Sequence, residues 1–241
     1  MIENIDNAIQ MITFGVCAAI SLRMYILTYH RAWFLLMLFN GTCFLGDTYW
    51  VLYLFTVGHT PKYFYVADLC WYAAFTFLYL LLYSLASEEE AHEKTVGEWA
   101  GPAFTAGMCA FYISITGDYF QEILLALTMG LLLHRAIRSL IYIKRNPTAK
   151  NIHRRLILTA VSFCLLEYAM QTVSCFWMGD TIRNPYFWLD LMVTASAALL
   201  VPTTRKARRV IKEIRVIRVK KAKKVTRAIR EQPWKFQLRW V

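Results

Sequence analysis

Asp47 and Glu167 are the most displaced residues of this chain, because each sits deep in a stretch otherwise apolar enough to cross a bilayer. Ionisable groups at such positions are costly and usually face a bundle interior or a water-filled cavity. Asp68, Glu122 and Asp190 fall within the first turn or two of three other apolar stretches. Positions three and four apart share a helix face. That sets Trp50 beside Asp47, Trp71 and Tyr72 beside Asp68, and Met170, Gln171 and Ser174 beside Glu167. Carboxylates next to aromatic rings suit an organic cation, through ion pairing and attraction to the ring face. The expected site is an acidic-aromatic vestibule of Asp47, Trp50, Asp68, Trp71, Glu122, Glu167, Gln171 and Asp190, with Asp47 and Glu167 at its floor. It would receive a small cationic or amphipathic ligand. A plainer role is open to several members: Asp68 and Asp190 as helix caps, and Trp71, Trp177 and Trp188 as an interfacial belt.

Arg23, in the inner third of the first stretch, is the expected internal partner for these acids, unless its long side chain reaches out to the interface. Arg135 and Arg138 read as interfacial anchors, His134 as the better candidate for a polar contact, and His30 and His153 as connection residues without a signal. No HExxH, GxSxG or Walker pattern is present, so zinc-protease, hydrolase and nucleotide-binding readings lack support. No lysine stands in 184–204 for a retinal Schiff base. No catalytic residue, metal ligand set or cofactor is expected. The six cysteines (17, 43, 70, 109, 164 and 175) form no CxxC pair and read as packing residues, a Cys70–Cys175 bridge being the minor alternative.

The elements that must position these groups follow from composition. Of 241 residues, 58% are hydrophobic and 18% charged, more apolar than a soluble domain tolerates. Runs of about 20 apolar residues span a bilayer, and seven are present: 8–29, 32–57, 64–86, 99–117, 119–143, 155–178 and 185–204. The fourth is diluted by Gly101, Pro102, Gly107 and Gly117. The fold expected is an all-α transmembrane bundle over 1–204, followed by a basic tail over 205–241. The tail holds 15 of the 27 Lys and Arg against two acids, Glu213 and Glu231, whereas the first 204 residues carry a net charge of −2. Lys and Arg fall on alternate connections: Arg31, Lys94, then Lys144, Arg145, Lys150, Arg154 and Arg155, then the tail; the other side has Lys62 and Arg183. The positive-inside rule then puts the N-terminus outside and the C-terminus in the cytoplasm. The N-terminus MIENIDNAIQ has no basic region, so the first stretch should remain as a membrane helix in a multi-pass cell-membrane protein.

In the tail, Ala207, Val210, Ile211, Ile214, Ile217, Val225 and Ile229 recur near helical spacing among basic residues. This predicts an amphipathic helix that continues the last span or lies on the inner surface, ended by Pro233, with Trp234, Phe236 and Trp240 at headgroup level. Arg205, Lys206, Arg208, Arg209, Lys212, Arg215 and Arg218 would contact anionic lipid, which a membrane-anchored helix meets before any nucleic acid.

Two stretches are alike: LGDTYW…HTPKYFYVADLCW over Leu45–Trp71 and MGDTIRNPYFWLDL over Met178–Leu191. Helices one to three and five to seven also run in the same directions, which permits a three-plus-one-plus-three parallel repeat; chance similarity of short motifs is the alternative. The run Gly46-Asp47-Thr48-Tyr49-Trp50-Val51-Leu52-Tyr53, followed by Gly58, Pro61, Asp68 and Trp71, resembles a group of seven-helix membrane proteins of Gram-positive gut bacteria. It is also similar to the multi-helix sensor regions that precede bacterial signalling domains, over about 30 residues. No output domain follows the last helix, so the resemblance implies signalling through the tail to a separate cytoplasmic protein. Three functions stay open. One is a ligand-sensing module. The second is a small transporter, similar in helix count to sugar and vitamin carriers but without their Pro-Gln signature. The third is an intramembrane lipid hydrolase, because Asp47 and a second acid resemble part of the motif of the eight-span lysoplasmalogenase-type enzymes.

Overall fold

The structure is a computed structural model that describes residues 2–58, 66–92, 95–146, 153–177, 179 and 181–231, with side chains in the last helix described to Ile211. Lys62, Lys94, Lys150, Asp180, Pro233 and the aromatics after it lie outside the described residues. Among those described there are only helices: α1 (Ile2–Thr28), α2 (Arg31–Val57), α3 (Val66–Leu85), α4 (Glu88–His92), α5 (Ala100–Thr116), α6 (Tyr119–Arg145), α7 (Arg154–Ser174) and α8 (Pro185–Glu231). A short 3-10 turn, Val96–Trp99, precedes α5. Six helices are long and apolar enough to cross a membrane: α1, α2, α3, α6, α7 and α8 over Pro185–Ile211. The fourth expected span is α5. Its 17 residues rise about 26 Å, short of the roughly 30 Å of a hydrocarbon core.

Burial is distributed as an apolar solvent requires. α1 buries Asp6, Gln10, Phe14, Cys17 and Ser21, while Ile5, Ile9, Ile12, Val16 and Ile20 are exposed. The polar face turns inward and the β-branched face outward, the reverse of a helix in water. Hydroxyls bond their own helix, as Thr13 to the Ile9 carbonyl, Thr42 to that of Leu38 and Thr128 to that of Leu124. None of these donors is left unsatisfied in a medium without water.

Connections are tight where sequence allows. α1 and α2 are joined by Tyr29 and His30 alone; Tyr29 takes a φ of 47°, and His30 accepts a hydrogen bond from the Ala32 N–H. Gly58 and Gly117 close α2 and α5 in left-handed conformation, φ 79° and 74°, where a side chain is strained. The six long helices close a ring in the order α1, α2, α3, α6, α7, α8 and back to α1, with α5 packed on α6. Phe14, Phe39, Phe75 and Phe163 meet edge to face at its centre, with centroids 5.6 to 6.2 Å apart. α8 runs without interruption across residues 204 and 205, so the basic segment continues the last span in the same helix.

Candidate functional site

The ring has two ends. At one, α1, α3, α6 and α8 begin and α2, α5 and α7 finish. Each of the six long helices brings a buried or half-buried acid to that end, Asp6, Asp47, Asp68, Glu122, Glu167 and Asp190, with the half-buried Glu3 of α1 and Asp118, which caps α6, beside them. Asp47 is placed by the close approach of α2 to α3. A Cβ on Gly46 would stand 3.1 Å from the Trp71 ring nitrogen and 3.2 Å from the Cys70 Cβ. The gap admits the Trp71 indole, whose Nε1 donates to Asp47 Oδ1 at 3.3 Å, while Trp50 lies 5.8 Å from Trp71, centroid to centroid. Asp47 Oδ2 is buried without a hydrogen-bond partner among the described residues.

Asp190 accepts from Gln10 Nε2 at 2.6 Å and meets the carboxyl of Asp6, so α8 is pinned to α1. Glu167 has no hydrogen-bond partner among the described residues, and it lies within electrostatic reach of Asp47 and Asp190. On the other side of the ring Gln121 Nε2 donates to Asp68 Oδ1 at 3.1 Å, and Gln171 Nε2 donates to both oxygens of Glu122 at 3.1 Å. All eight residues expected from sequence therefore lie at one end. Trp71 joins Asp47 to α3, and Gln171 serves Glu122 rather than its own helix neighbour Glu167. Asp6, Gln10 and Gln121 complete the set without having been expected. Asp6 precedes the first apolar run as drawn from sequence, and an amide gives no signal until its acid is known.

An indole donates to Asp47, carboxamides donate to Asp190 and Glu122, and Asp6 and Asp190 meet one another. Among the described residues Arg183, which is exposed, is the one Lys or Arg at this end. Arg23, expected as their counter-charge, is exposed on α1 toward the opposite end. Like charges so placed cannot all be ionised in a low-dielectric setting unless balanced from outside. The layer can take up a cation or protons. Among the described residues no group of three or more His, Cys, Asp or Glu has metal-ligating geometry, and all six cysteines are free.

The opposite end is paired. Glu90 of α4 is fully buried against Arg135 Nη2 at 2.8 Å, the Ser139 hydroxyl and His153 Nε2 at 3.3 Å. The Arg135 guanidinium also lies 5.7 Å from the centroid of the Tyr83 ring. Glu98 takes Arg138 Nε at 2.6 Å, with His134 Nε2 at 3.7 Å. Burial alone would raise the Glu90 carboxyl, but the contacts and charge of His153, Ser139 and Arg135 outweigh it and hold the group below the ordinary value. Glu98 is held low chiefly by the bond from Arg138. Arg135 and Arg138, read from sequence as interfacial anchors, are each paired with a glutamate, Arg135 buried and Arg138 half-buried, and His153 joins the Glu90 pair.

In comparisons with protein families, curated proteins and solved structures, the chain matches none.

Proposed function

We propose that this chain is a ligand-sensing membrane module, with the unbalanced acidic layer as receiver and α8 as transmitter. One observation carries the reading. α8 is a single helix of 47 residues that starts beside the acidic layer, where Asp190 meets Asp6 and Gln10, and ends in the basic tail. A cation drawn between Asp190, Asp47 and Glu167 replaces their mutual repulsion with attraction. The first turns of α8 then shift against α1, and a rigid helix passes the shift on. In this reading α5 is a seventh crossing, the acidic end faces outward and the tail is cytoplasmic, as the distribution of Lys and Arg requires. The tail's basic residues, Arg205 to Arg218, rest on anionic lipid until a protein partner engages them.

The test is thermal stabilisation of purified protein by choline, spermidine and amphipathic amines. A concentration-dependent rise in Tm is expected, and it should vanish in Asp47→Asn and in Glu167→Gln. A rise unchanged in both variants would remove the acids from the receiver.

A transporter is the second reading, favoured by the common directions of α1–α3 and α6–α8 and by an acid near the start of both α3 and α8. Accumulation of the stabilising amine in proteoliposomes would select it over the sensor.

A further inference from the structure

α8 is fastened to the α1–α2 hairpin at two levels. At the acidic end Asp190 meets Asp6 and accepts from Gln10 Nε2 at 2.6 Å. Toward the paired end Arg208 Nη1 donates to the Thr28 hydroxyl at 3.3 Å, and its guanidinium lies 5.9 Å from the centroid of the Trp33 ring. The two levels are about 27 Å apart along the helix. We infer that the first fastening is a latch closed by one proton shared between Asp6 and Asp190, and that loss of this proton frees the start of α8 to swing about the Arg208 contact.

The geometry of the pair requires the proton. An ionised carboxylate only accepts hydrogen bonds, so two carboxyl groups bonded to one another must hold a hydrogen between them. Asp6 and Asp190 make such a contact, and both are buried, 6% and 2% exposed. Capping does not account for either. Asp6 is the fifth residue of α1 and Asp190 the sixth of α8, past the four N–H groups that a helix start leaves open. Gln10 donates to Asp190, whereas Asp6 Oδ2 is buried without a hydrogen-bond partner among the described residues.

The surroundings favour opening once the proton leaves. Asp190 stands within electrostatic reach of Asp47 on α2 and Glu167 on α7, and Tyr186, four residues before it on α8, also feels Glu3 on α1. All of these are acids. Among the described residues the one Lys or Arg at this end is Arg183, exposed in the connection before α8. Two carboxylates in contact repel strongly where water is scarce. Arg208 is held instead by a hydroxyl and an indole ring, neither of which titrates near neutrality, so the far fastening stays closed. The latch lies at a contact that the sensing reading also uses, yet it needs no ligand, and either can fail without the other.

Hydrogen–deuterium exchange of the full chain in mild detergent, without added amine, tests it between about pH 6 and about pH 9, with the intrinsic pH dependence of exchange divided out. Over 186–194 the corrected opening of wild type should grow with pH, by at most about tenfold per unit for one proton, while 204–211 changes little. Asp6→Asn and Asp190→Asn each set a permanent N–H donor against the remaining carboxylate, so both should open rarely at every pH. Asp190→Ala removes the latch and should open readily at every pH. Infrared spectroscopy of the same samples follows the proton itself. The carboxylic-acid absorption that wild type loses over this range should be larger, by one group, than the loss in Asp6→Asn. Flat exchange in wild type, or the same pH dependence in wild type and both Asn variants, would overturn the latch. An equal infrared loss in wild type and Asp6→Asn would place the titration on another acid and overturn it too.

Discussion

The two ends of the bundle treat charge in opposite ways. At one, Glu90 and Glu98 each face an arginine and a histidine. At the other, Asp47, Asp190 and Glu122 are met by an indole and amides, and Asp6 and Asp190 by each other, with no Lys or Arg from a described helix at that end. A buried carboxylate with a cation at 2.8 Å has its charge matched, and such pairs tie α4 and the 3-10 turn to α6. Glu122 beside an amide is left short of charge, and Asp47 Oδ2 has no hydrogen-bond partner among the described residues. The paired end holds the bundle together; the unbalanced end has capacity to spare, so we place reception there.

The sharpest test of that contrast is Arg135→Ala. It leaves Glu90 buried without its arginine, and breaking a buried pair from one side costs about 3–5 kcal/mol. Unfolding of the purified protein should register it. A loss below about 1 kcal/mol would demote the pair to the standing of a surface bridge.

Acid separates the ends next. Glu90 and Glu98 have folded-state values below the ordinary 4.5. Their contribution is therefore complete above that pH and disappears as pH falls through the lowered values. Melting curves should hold down to about pH 4.5 and drop below it, with the drop reduced in Glu90→Gln/Glu98→Gln.

A smaller effect is expected from Gly101→Ala on α5. The new Cβ would lie 2.8 Å from the Leu133 Cβ and 3.0 Å from the His134 backbone nitrogen, overpacking worth about 1–3 kcal/mol. Loss of stability there would show that α5 is docked on α6 as firmly as a span must be.

Asp47→Asn should be nearly silent in stability, within about 1 kcal/mol. An amide oxygen still accepts from Trp71, and an unbalanced charge is removed. A severe loss would mean that the acidic layer is as structural as the paired one, and the comparison would collapse.

Much of this was legible in the sequence. Apolar runs located α1, α2, α3, α6, α7 and the first part of α8, because span length is set by the bilayer and needs no partner to be read. The acids stood out for the same reason. Asp47 and Glu167 interrupt hydrophobic stretches, and their shared end follows from alternating helix directions. The partners were hidden. His153 and Glu90 are far apart in the chain, and nothing local to either announces the other. Arg135 next to Arg138 resembles the ordinary basic fringe of a span, and only a buried Glu90 turns it into a clamp. Arg23 misled in the opposite sense: an arginine within an apolar run suggests an internal ion pair, yet it stands exposed on α1. The fourth run illustrates a further limit. Its glycines dilute the hydropathy that length should compensate, and what replaces it is the close seat of Gly101 against Leu133.

The two-residue link between α1 and α2 bears on how the chain is made. Two extended residues reach about 7 Å, so once α1 is across, the first turn of α2 is already at the bilayer surface. There is no loop in which a half-inserted chain could wait. The pair therefore forms one tight helical hairpin, and if it inserts as a unit it can do so before Trp71, 24 residues beyond Asp47, has been added to the chain. Asp47 then crosses hydrocarbon ahead of its only hydrogen-bond donor among the described residues. It must make that passage as a neutral acid, its proton carried in from water, because an unpaired carboxylate in hydrocarbon costs far more than the proton it would take to neutralise it.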